Sequence, residues 1–558
     1  MASFASLSPE LLEHVLARAL EGPVRLDQRN LARFASVSPA FAAASRRLLL
    51  RWVTVDNPQL GAKLLDTLHS SPACGACVRS LVVKADAFDE PKTFSELSQD
   101  DLLRLSVNLV AFDSARAAFA PLADGRKPLP AFPKTLTSMR LGQACTSPAE
   151  GYYTDSDEDD DADDDLAVNR DEQRAAKISA TYLSLLRAYP RTLTSLKLSK
   201  LAGNALPLFP PVAPLDLPHL ATLELDMVTV PSGVFKWLTA TARDLESLKV
   251  WMATGVTEAD LLDFAQRKGR SLKQFAFKPK GKQGKKLANE MVLYMSTLEK
   301  LTLGDKACDH GIWPNLPSSL THVCVSIPAN VQDARLPTVA HEVTTRLTNL
   351  LRLELFSGLY FPPPVEVVYP PTDPLNPLDG GLRELRLSHI SSPTLEAFLL
   401  RLGGGLYTLA LHHITVAMTQ LTPYCPRLRR LELGAAGVLT ADLPQSVLSS
   451  SSVHAASLTF LRVHLASHVA LEHLTASIGT IRATQHLEGD HHRLQTLELV
   501  GHFPGNLVGE GWTSGKGIDG LVEACEREQV RLCVNGRPVD SVGDLWGAMQ
   551  GQTGRETL

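Results

Sequence analysis

LTSLKL (193–198), LATLEL (220–225) and LESLKV (245–250) decide the fold. Each is a hexamer of the form Leu-x-x-Leu-x-Leu, and the same form, with conservative swaps, recurs along the chain. It reads LTSMRL at 136, LKQFAF at 272, LEKLTL at 298, LTHVCV at 320 and LLRLEL at 350. LRELRL at 382, LYTLAL at 406, LRRLEL at 428, LTFLRV at 458 and LQTLEL at 494 follow. Degenerate copies occur at VRSLVV (78–83), around Leu109, and at VRLCV (530–534). The last three positions of each hexamer alternate apolar, variable, apolar, the signature of a short strand with one buried face. From Leu193 to Leu320 successive hexamers start 27, 25, 27, 26 and 22 residues apart. That is the length of one strand plus a return segment.

The return segments carry helix punctuation. After 245, Thr257 and Asp260 form a capping-box pattern, Leu261, Leu262 and Ala265 make an apolar stripe, and Gly269 closes it. After 382, Ser392 and Pro393 open a helix bearing Leu395, Phe398, Leu399 and Leu402, and Gly403 stops it. A long leucine-rich helix would carry the pattern over more turns than one hexamer, and would not break for Gly or Pro at every period. The hexamers resemble ribonuclease-inhibitor-like leucine-rich repeats over most of residues 78–535. The resemblance implies an α/β solenoid with parallel strands on the concave face and helices on the convex face. Stacked units bury one continuous core, and some 14 strands about 4.8 Å apart give a wall of roughly 65 Å. By alternation Lys197, Glu224, Lys249, Arg386 and Glu432 point to the open side of the strands. They are the candidate contacts to a protein substrate. The helix 518–529, the strand at 530–534 and an amphipathic segment around Trp546 finish the array.

The chain has 558 residues, 44% of them hydrophobic, and a formal net charge of -5. It is too long for one compact globule and has no basic excess suited to nucleic acid. Its eight cysteines show no repeating spacing, which suits a reducing compartment. Cys74 and Cys77 form an isolated CxxC, better read as packing thiols than as a metal or redox pair. No apolar run approaches a membrane span, and the N-terminus lacks the basic and apolar regions of a secretory signal. The cytoplasm, the nucleus or both are therefore the expected location.

The first fifty residues do not share the repeat. Ser8 and Pro9 open a helix whose Leu11, Leu12, Val15, Leu16, Ala19 and Leu20 mark one apolar face. Asp27 suits the start of a second helix with Leu31, Phe34 and Ala35. Ser38 and Pro39 suit a third with Phe41 and Leu48. Three helices in about 45 residues are too small to stand well alone. Either they cap the solenoid core or they offer an apolar face to a partner.

LSPELLEHVLARAL (7–20) and NLARFASVSPAF (30–41) resemble the F-box, which opens with Leu-Pro-x-Glu-Leu-Leu and later carries Val-Ser/Cys-x-x-Trp/Phe. Leu7, Glu10, Leu11 and Leu12 match the opening, and Val15 and Leu16 match the first helix. Leu31, Val37, Ser38 and Phe41 match the second half. The proline falls one place late, at Pro9, and Pro39 stands where a basic residue is common. The resemblance implies binding to the Skp-type adaptor of a cullin–RING (SCF) ubiquitin ligase, with Leu7, Pro9, Leu11, Leu12, Val15 and Leu16 as anchors. With the repeat array behind it, such a chain would be a non-catalytic substrate receptor. Adaptor, cullin and protein substrate would be its partners, without cofactor, nucleic acid or membrane. A scaffold whose N-terminus only caps the solenoid is the alternative.

The expected layout is an F-box-like region at 1–55, repeats at 56–540 and a tail at 541–558. An acidic insertion at 150–172 and a proline-rich loop at 361–380 interrupt the repeats. DSDEDDDADDD (155–165) holds nine acids in eleven positions, a density that opposes folding. It reads as a solvated spacer, as a dock for a basic partner, or as a phospho-switch at Thr154 and Ser156, each with an acid three residues on. KPKGKQGKK (278–286) carries five lysines and reads as a solvated run, a partner for the acidic stretch or a nuclear localisation signal. FPPPVEVVYPPTDPLNP (361–377), with seven prolines, reads as an extended loop on the array's edge. No GxSxG, Walker A, GxGxxG or HExxH motif occurs. His341-Glu342 lacks a histidine at Thr345, and His412-His413 and His491-His492 lack carboxylates at ligand spacing.

Overall fold

The computed structural model describes residues 9–20, 35–55, 58–83, 105–114, 135–142, 192–199, 217–230, 233–279, 287–304, 307, 310–326, 329–356, 381–388, 392–412, 424–425, 427–433, 458–464, 494–500, 516–534 and 537–539. Leu7, Leu31, Thr154 and Ser156 lie outside them, as do the acidic run, residues 361–380, most of the lysine-rich run and the tail. The chain forms two compact units, 1–280 and 281–558. The division falls inside the repeat array, not between the N-terminal helices and the repeats.

Unit one starts with α1 (Pro9–Leu20) and α2 (Pro39–Arg51). β1 (Trp52–Val55) follows α2 with no intervening residue. Then come α3 (Pro58–Ser70) and α4 (Pro72–Gly75). β2 (Ser80–Val83), β3 (Ala111–Ser114), β4 (Ser138–Gly142), β5 (Ser195–Ser199) and β6 (Thr222–Asp226) follow. α5 (Val234–Thr241), β7 (Ser247–Trp251), α6 (Glu258–Lys268) and β8 (Gln274–Lys278) complete it. β1 to β8 pair in sequence order, all parallel.

Unit two holds α7 (Leu287–Val292), β9 (Lys300–Leu303), β10 (His322–Ser326), α8 (Ala329–Thr345) and β11 (Arg352–Phe356). β12 (Glu384–Ser388), α9 (Ser392–Leu402), β13 (Thr408–His412) and β14 (Arg430–Leu433) continue it. It ends with β15 (Phe460–His464), β16 (Thr496–Val500), α10 (Lys516–Arg527), β17 (Arg531–Val534) and the short β18 (Arg537–Pro538). β9 to β17 are again parallel neighbours in sequence order, and β18 turns back antiparallel on β17. The class is α/β, and each unit is a solenoid-like parallel ladder.

Every predicted hexamer supplies a strand, and so do the three degenerate copies. All three apolar positions of all the hexamers are buried, the most exposed being Leu428 at 7%. Burying one such side chain contributes about 1.5–3 kcal/mol relative to leaving it in water. Ahead of most of these strands the backbone makes a fork. Ala221 and Thr222 N–H both donate to the Thr194 carbonyl, at 2.8 and 3.0 Å. Glu246 and Ser247 N–H donate to Ala221, and Lys273 and Gln274 to Glu246. The same fork runs through unit two, from Thr321 and His322 on Glu299 to Gln495 and Thr496 on Thr459. One carbonyl with two lone pairs thus satisfies two donors and fixes the register between repeats.

The helix signals at Thr257 and Gly269 hold. Thr257 Oγ1 accepts from Asp260 N–H at 3.1 Å and donates to the Asp260 carboxylate at 2.6 Å, so α6 starts where the capping pattern places it. α5 and α6 pack through Phe235 and Phe264, whose rings meet edge to face at 5.6 Å. Gly269 closes α6 as its C-cap, right-handed at φ -53°, and leads into a 3-10 turn. Gly403 also opens a 3-10 turn, and a β-carbon there would lie 2.4 Å from the Tyr424 carbonyl oxygen. Gly403 is therefore required by the close approach of the next repeat's backbone.

Gly255 is different: it sits at φ +76°, and a β-carbon on it would lie 2.1 Å from the Val230 carbonyl oxygen. The Gly255→Ala variant is expected to lose at least about 1–3 kcal/mol, from backbone strain plus that collision. Urea unfolding checks this, and a wild-type midpoint would contradict the turn geometry.

Candidate functional site

Two surfaces collect the residues singled out in the sequence. The first is the helix pair. Ser38 caps α2, its Oγ accepting from Phe41 N–H at 3.3 Å, with Pro39 in the first turn. Leu12 and Leu16 of α1 are buried against Ala44 and Leu48 of α2, with Phe41 half-buried beside them. Leu11 and Val15 stand one turn apart on the next strip of α1 and are 56% and 45% exposed. Val37, just before α2, is 64% exposed. The expected adaptor anchors therefore divide. Leu12 and Leu16, expected at the interface, are instead spent on the chain's own core, where they close the contact between α1 and α2. Leu11, Val15 and Val37 remain outside. Pro9 and Glu10 begin α1.

The second surface is the open side of the strands. In unit one Lys197, Glu224 and Lys249 stand in register on β5, β6 and β7. Lys197 Nζ lies 2.7 Å from Glu224 Oε1 and Lys249 Nζ 3.8 Å from Glu224 Oε2. All three are partly exposed. Upstream in the same row, Arg140 on β4 pairs with Asp113 on β3 at 3.5 Å. These are accessible pairs, each worth little to stability.

In unit two the equivalent row is covered. Arg386 and Glu432, expected to be open to a substrate, are only 2% and 1% exposed. The register supplies the physical reason. Ala410 on β13 lies between Arg386 on β12 and Glu432 on β14. Its small side chain lets the two charges reach across it to 4.0 Å. Arg386 Nε also meets Glu384 Oε1 at 2.7 Å and Glu354 Oε1 at 3.8 Å. Arg352 contacts Glu354. Arg430 Nε donates to Glu432 Oε1 at 2.8 Å, Arg462 Nη1 lies 3.5 Å from the same oxygen, and Arg462 Nη2 meets Glu498 Oε2 at 2.8 Å. The sign alternation of RLEL, ELRL, RLEL, FLRV and TLEL on β11, β12, β14, β15 and β16 was the available sequence signal for this lattice. Arg352, Glu354, Glu384, Arg430, Arg462 and Glu498 were not among the predicted contacts.

The lattice is unevenly balanced. Burial pushes the Glu432 carboxyl up, but Arg386, Arg462 and Arg430 outweigh it and hold it below its ordinary value. Burial also raises Glu384, and Arg386 and Arg352 do not fully offset that. Glu384 Oε2 and Arg386 Nη2 are buried without a hydrogen bond. At the edge of the lattice, burial with Lys300 and Arg352 lowers His322 to about 4, so it is neutral near pH 7.

Other candidates do not assemble into reactive sites. Burial, then Cys74, raise the Cys77 thiol above its ordinary value, Arg47 opposing and Glu13 adding to the rise. That is the opposite of an activated thiolate. Among the described residues no group of three His, Cys, Asp or Glu side chains is placed to hold a metal. Among them, too, no helix is long and apolar enough to cross a membrane.

Glu432 is the hub of the buried lattice, and its sign is testable. A carboxyl held low when folded contributes stability above its unfolded pKa of about 4.3, lost as pH falls through the folded value. The Glu432→Gln variant is expected to lose about 3–5 kcal/mol near neutral pH, a gap that narrows in acid. Glu384 is held high, so its ionisation opposes folding as pH rises through its folded value. The Glu384→Gln variant should therefore lose less at neutral pH. Denaturant unfolding at a series of pH values checks both, and a Glu432→Gln gap independent of pH would rule out the ionised hub.

No protein-family model matches the chain and no curated protein matches it.

Proposed function

We propose that this chain is a substrate-recognition subunit of an SCF-type cullin–RING ubiquitin ligase, acting in the cytoplasm or nucleus without catalytic residues of its own. In this reading α1 and α2 belong to an F-box that docks the Skp-type adaptor, and the parallel ladders are ribonuclease-inhibitor-like leucine-rich repeats that hold a protein substrate. The observation that carries it is the pairing of a closed helix core, Leu12 and Leu16 on Ala44 and Leu48, with large apolar side chains left outside at Leu11, Val15 and Val37. Exposed leucine and valine on a small helical unit favour a protein partner. The substrate-facing positions best suited to contact are Lys197, Glu224 and Lys249, which are accessible in a way that Arg386 and Glu432 are not.

The proposed mechanism is proximity. One end anchors to the ligase, the ladder holds a target, and the target's lysines gain a high effective concentration beside the ubiquitin-charged enzyme. A scaffold without adaptor binding is the second reading, favoured by the burial of Leu12 and Leu16 in the chain's own core.

Leu11→Asp with Val15→Asp separates the two. Both side chains are exposed, so the double variant should keep the wild-type thermal midpoint while its affinity for the Skp-type adaptor drops about tenfold or more. Leu12→Ala, by contrast, should cost about 2–5 kcal/mol of stability. Wild-type chain that captures no adaptor, or a double variant that captures as much as wild type, would assign the scaffold role.

A further inference from the structure

Unit one holds a second feature that adaptor docking does not use. Along α2 and the segment from Ser71 to Arg79 runs a groove of about 550 Å³. Arg46, Arg47 and Arg51 line it from α2, and Arg79 lines it from the residue preceding β2. All four are exposed. Arg47 and Arg51 are four residues apart on one helix, where like charges repel. Among the described residues none of the four is ion-paired to a carboxylate, whereas Arg140, Arg352, Arg386, Arg430 and Arg462 all are. Arg51 rests on the Trp52 ring at 4.8 Å, and Arg79 Nη1 donates to the Asn108 carbonyl at 3.2 Å. Those contacts hold two of the guanidinium groups in place without neutralising them.

We propose that this groove binds a phosphorylated side chain of a peptide. A phosphate brings close to two negative charges and three acceptor oxygens. The guanidinium fork matches it through paired hydrogen bonds, and four forks supply more positive charge than a single carboxylate would balance. The rest of the lining suits a peptide better than a nucleic acid or a bilayer. Ala43, Leu50 and Ala73 give apolar ground between the arginines for flanking side chains. Glu13 interrupts the positive field at the groove's wall. A polyanion needs an extended basic surface, while this chain carries a formal net charge of -5. The volume falls in the range of sites for compact ligands.

The full-length chain is immobilised and offered two degenerate peptide libraries, one with phosphoserine fixed at the centre and one with serine there. Anionic vesicles of phosphatidylserine and phosphatidylcholine form a third arm. The expected result is capture of the phosphoserine library alone, competed by excess inorganic phosphate. Arg46→Gln with Arg47→Gln, and separately Arg79→Gln, should each reduce that capture about tenfold or more. Because Arg79 is exposed and outside the helix pair, the Arg79→Gln variant decides the matter should the double variant fail to fold. Equal capture of both libraries, capture unchanged in Arg79→Gln, or binding of vesicles without peptide would each overturn the proposal. Peptide capture needs no adaptor, so its failure would leave the ligase reading standing.

Discussion

The structure depends on one constraint: a strand of four or five residues with a single apolar face cannot bury that face by itself. Each hexamer contributes three apolar side chains, and together these form the floor under its strand. The strand holds its place only because the backbone ahead of it is forked onto the preceding repeat. The carbonyls of Thr194, Ala221 and Glu246 each receive two N–H donors from the next unit. Side-chain burial supplies the driving force and the fork supplies the register. Neither alone would keep the outward positions aligned across neighbouring strands, and the charged rows exist because of that alignment.

The two units use the same register to opposite electrostatic ends. In unit one the row from Asp113 to Lys249 is accessible and loosely paired. In unit two the row containing Glu354, Arg386 and Glu432 is desolvated and cross-linked by arginines from the neighbouring row. Desolvation of that kind makes a lattice costly to break and only weakly favourable to form. Its effect is on the geometry of β11 to β16, where each charge has few alternative neighbours. A small residue, Ala410, matters as much as the charges, since a longer side chain would stand between Arg386 and Glu432.

Much of the fold was legible because burial of a repeated strand leaves a mark at fixed spacing. The hexamers, the degenerate strands at Ser80 and Arg531, and the cap at Thr257 were all readable from residue order. β1 was not, since WVTV lacks the leading leucine and sits where a helical region was expected to end. The reason for Gly403 was not legible either, since a glycine is selected both by positive φ and by a neighbour pressing against it, and the letter is the same. The helix pair was half legible. Apolar periodicity identified the strip containing Leu11, Leu12, Val15 and Leu16, but which of two adjacent lines faces inward depends on where Ala44 and Leu48 arrive. The burial of Arg386 and Glu432 was hidden for a related reason: alternation gives the side of a sheet, not what reaches across it.

α2 passes into β1 without a spacer, Arg51 closing the helix and Trp52 opening the strand. Arg79 N–H then donates to the Arg51 carbonyl at 3.1 Å, bolting the joint to the next strand. A flexible tether would let a docked module swivel and sample many headings. Here the last residue of α2 and the first of β1 are neighbours, so the direction of α2 is tied to that of the first strand. Whatever grips the helices thereby also aims the first ladder, so a twist applied at one is felt at the other.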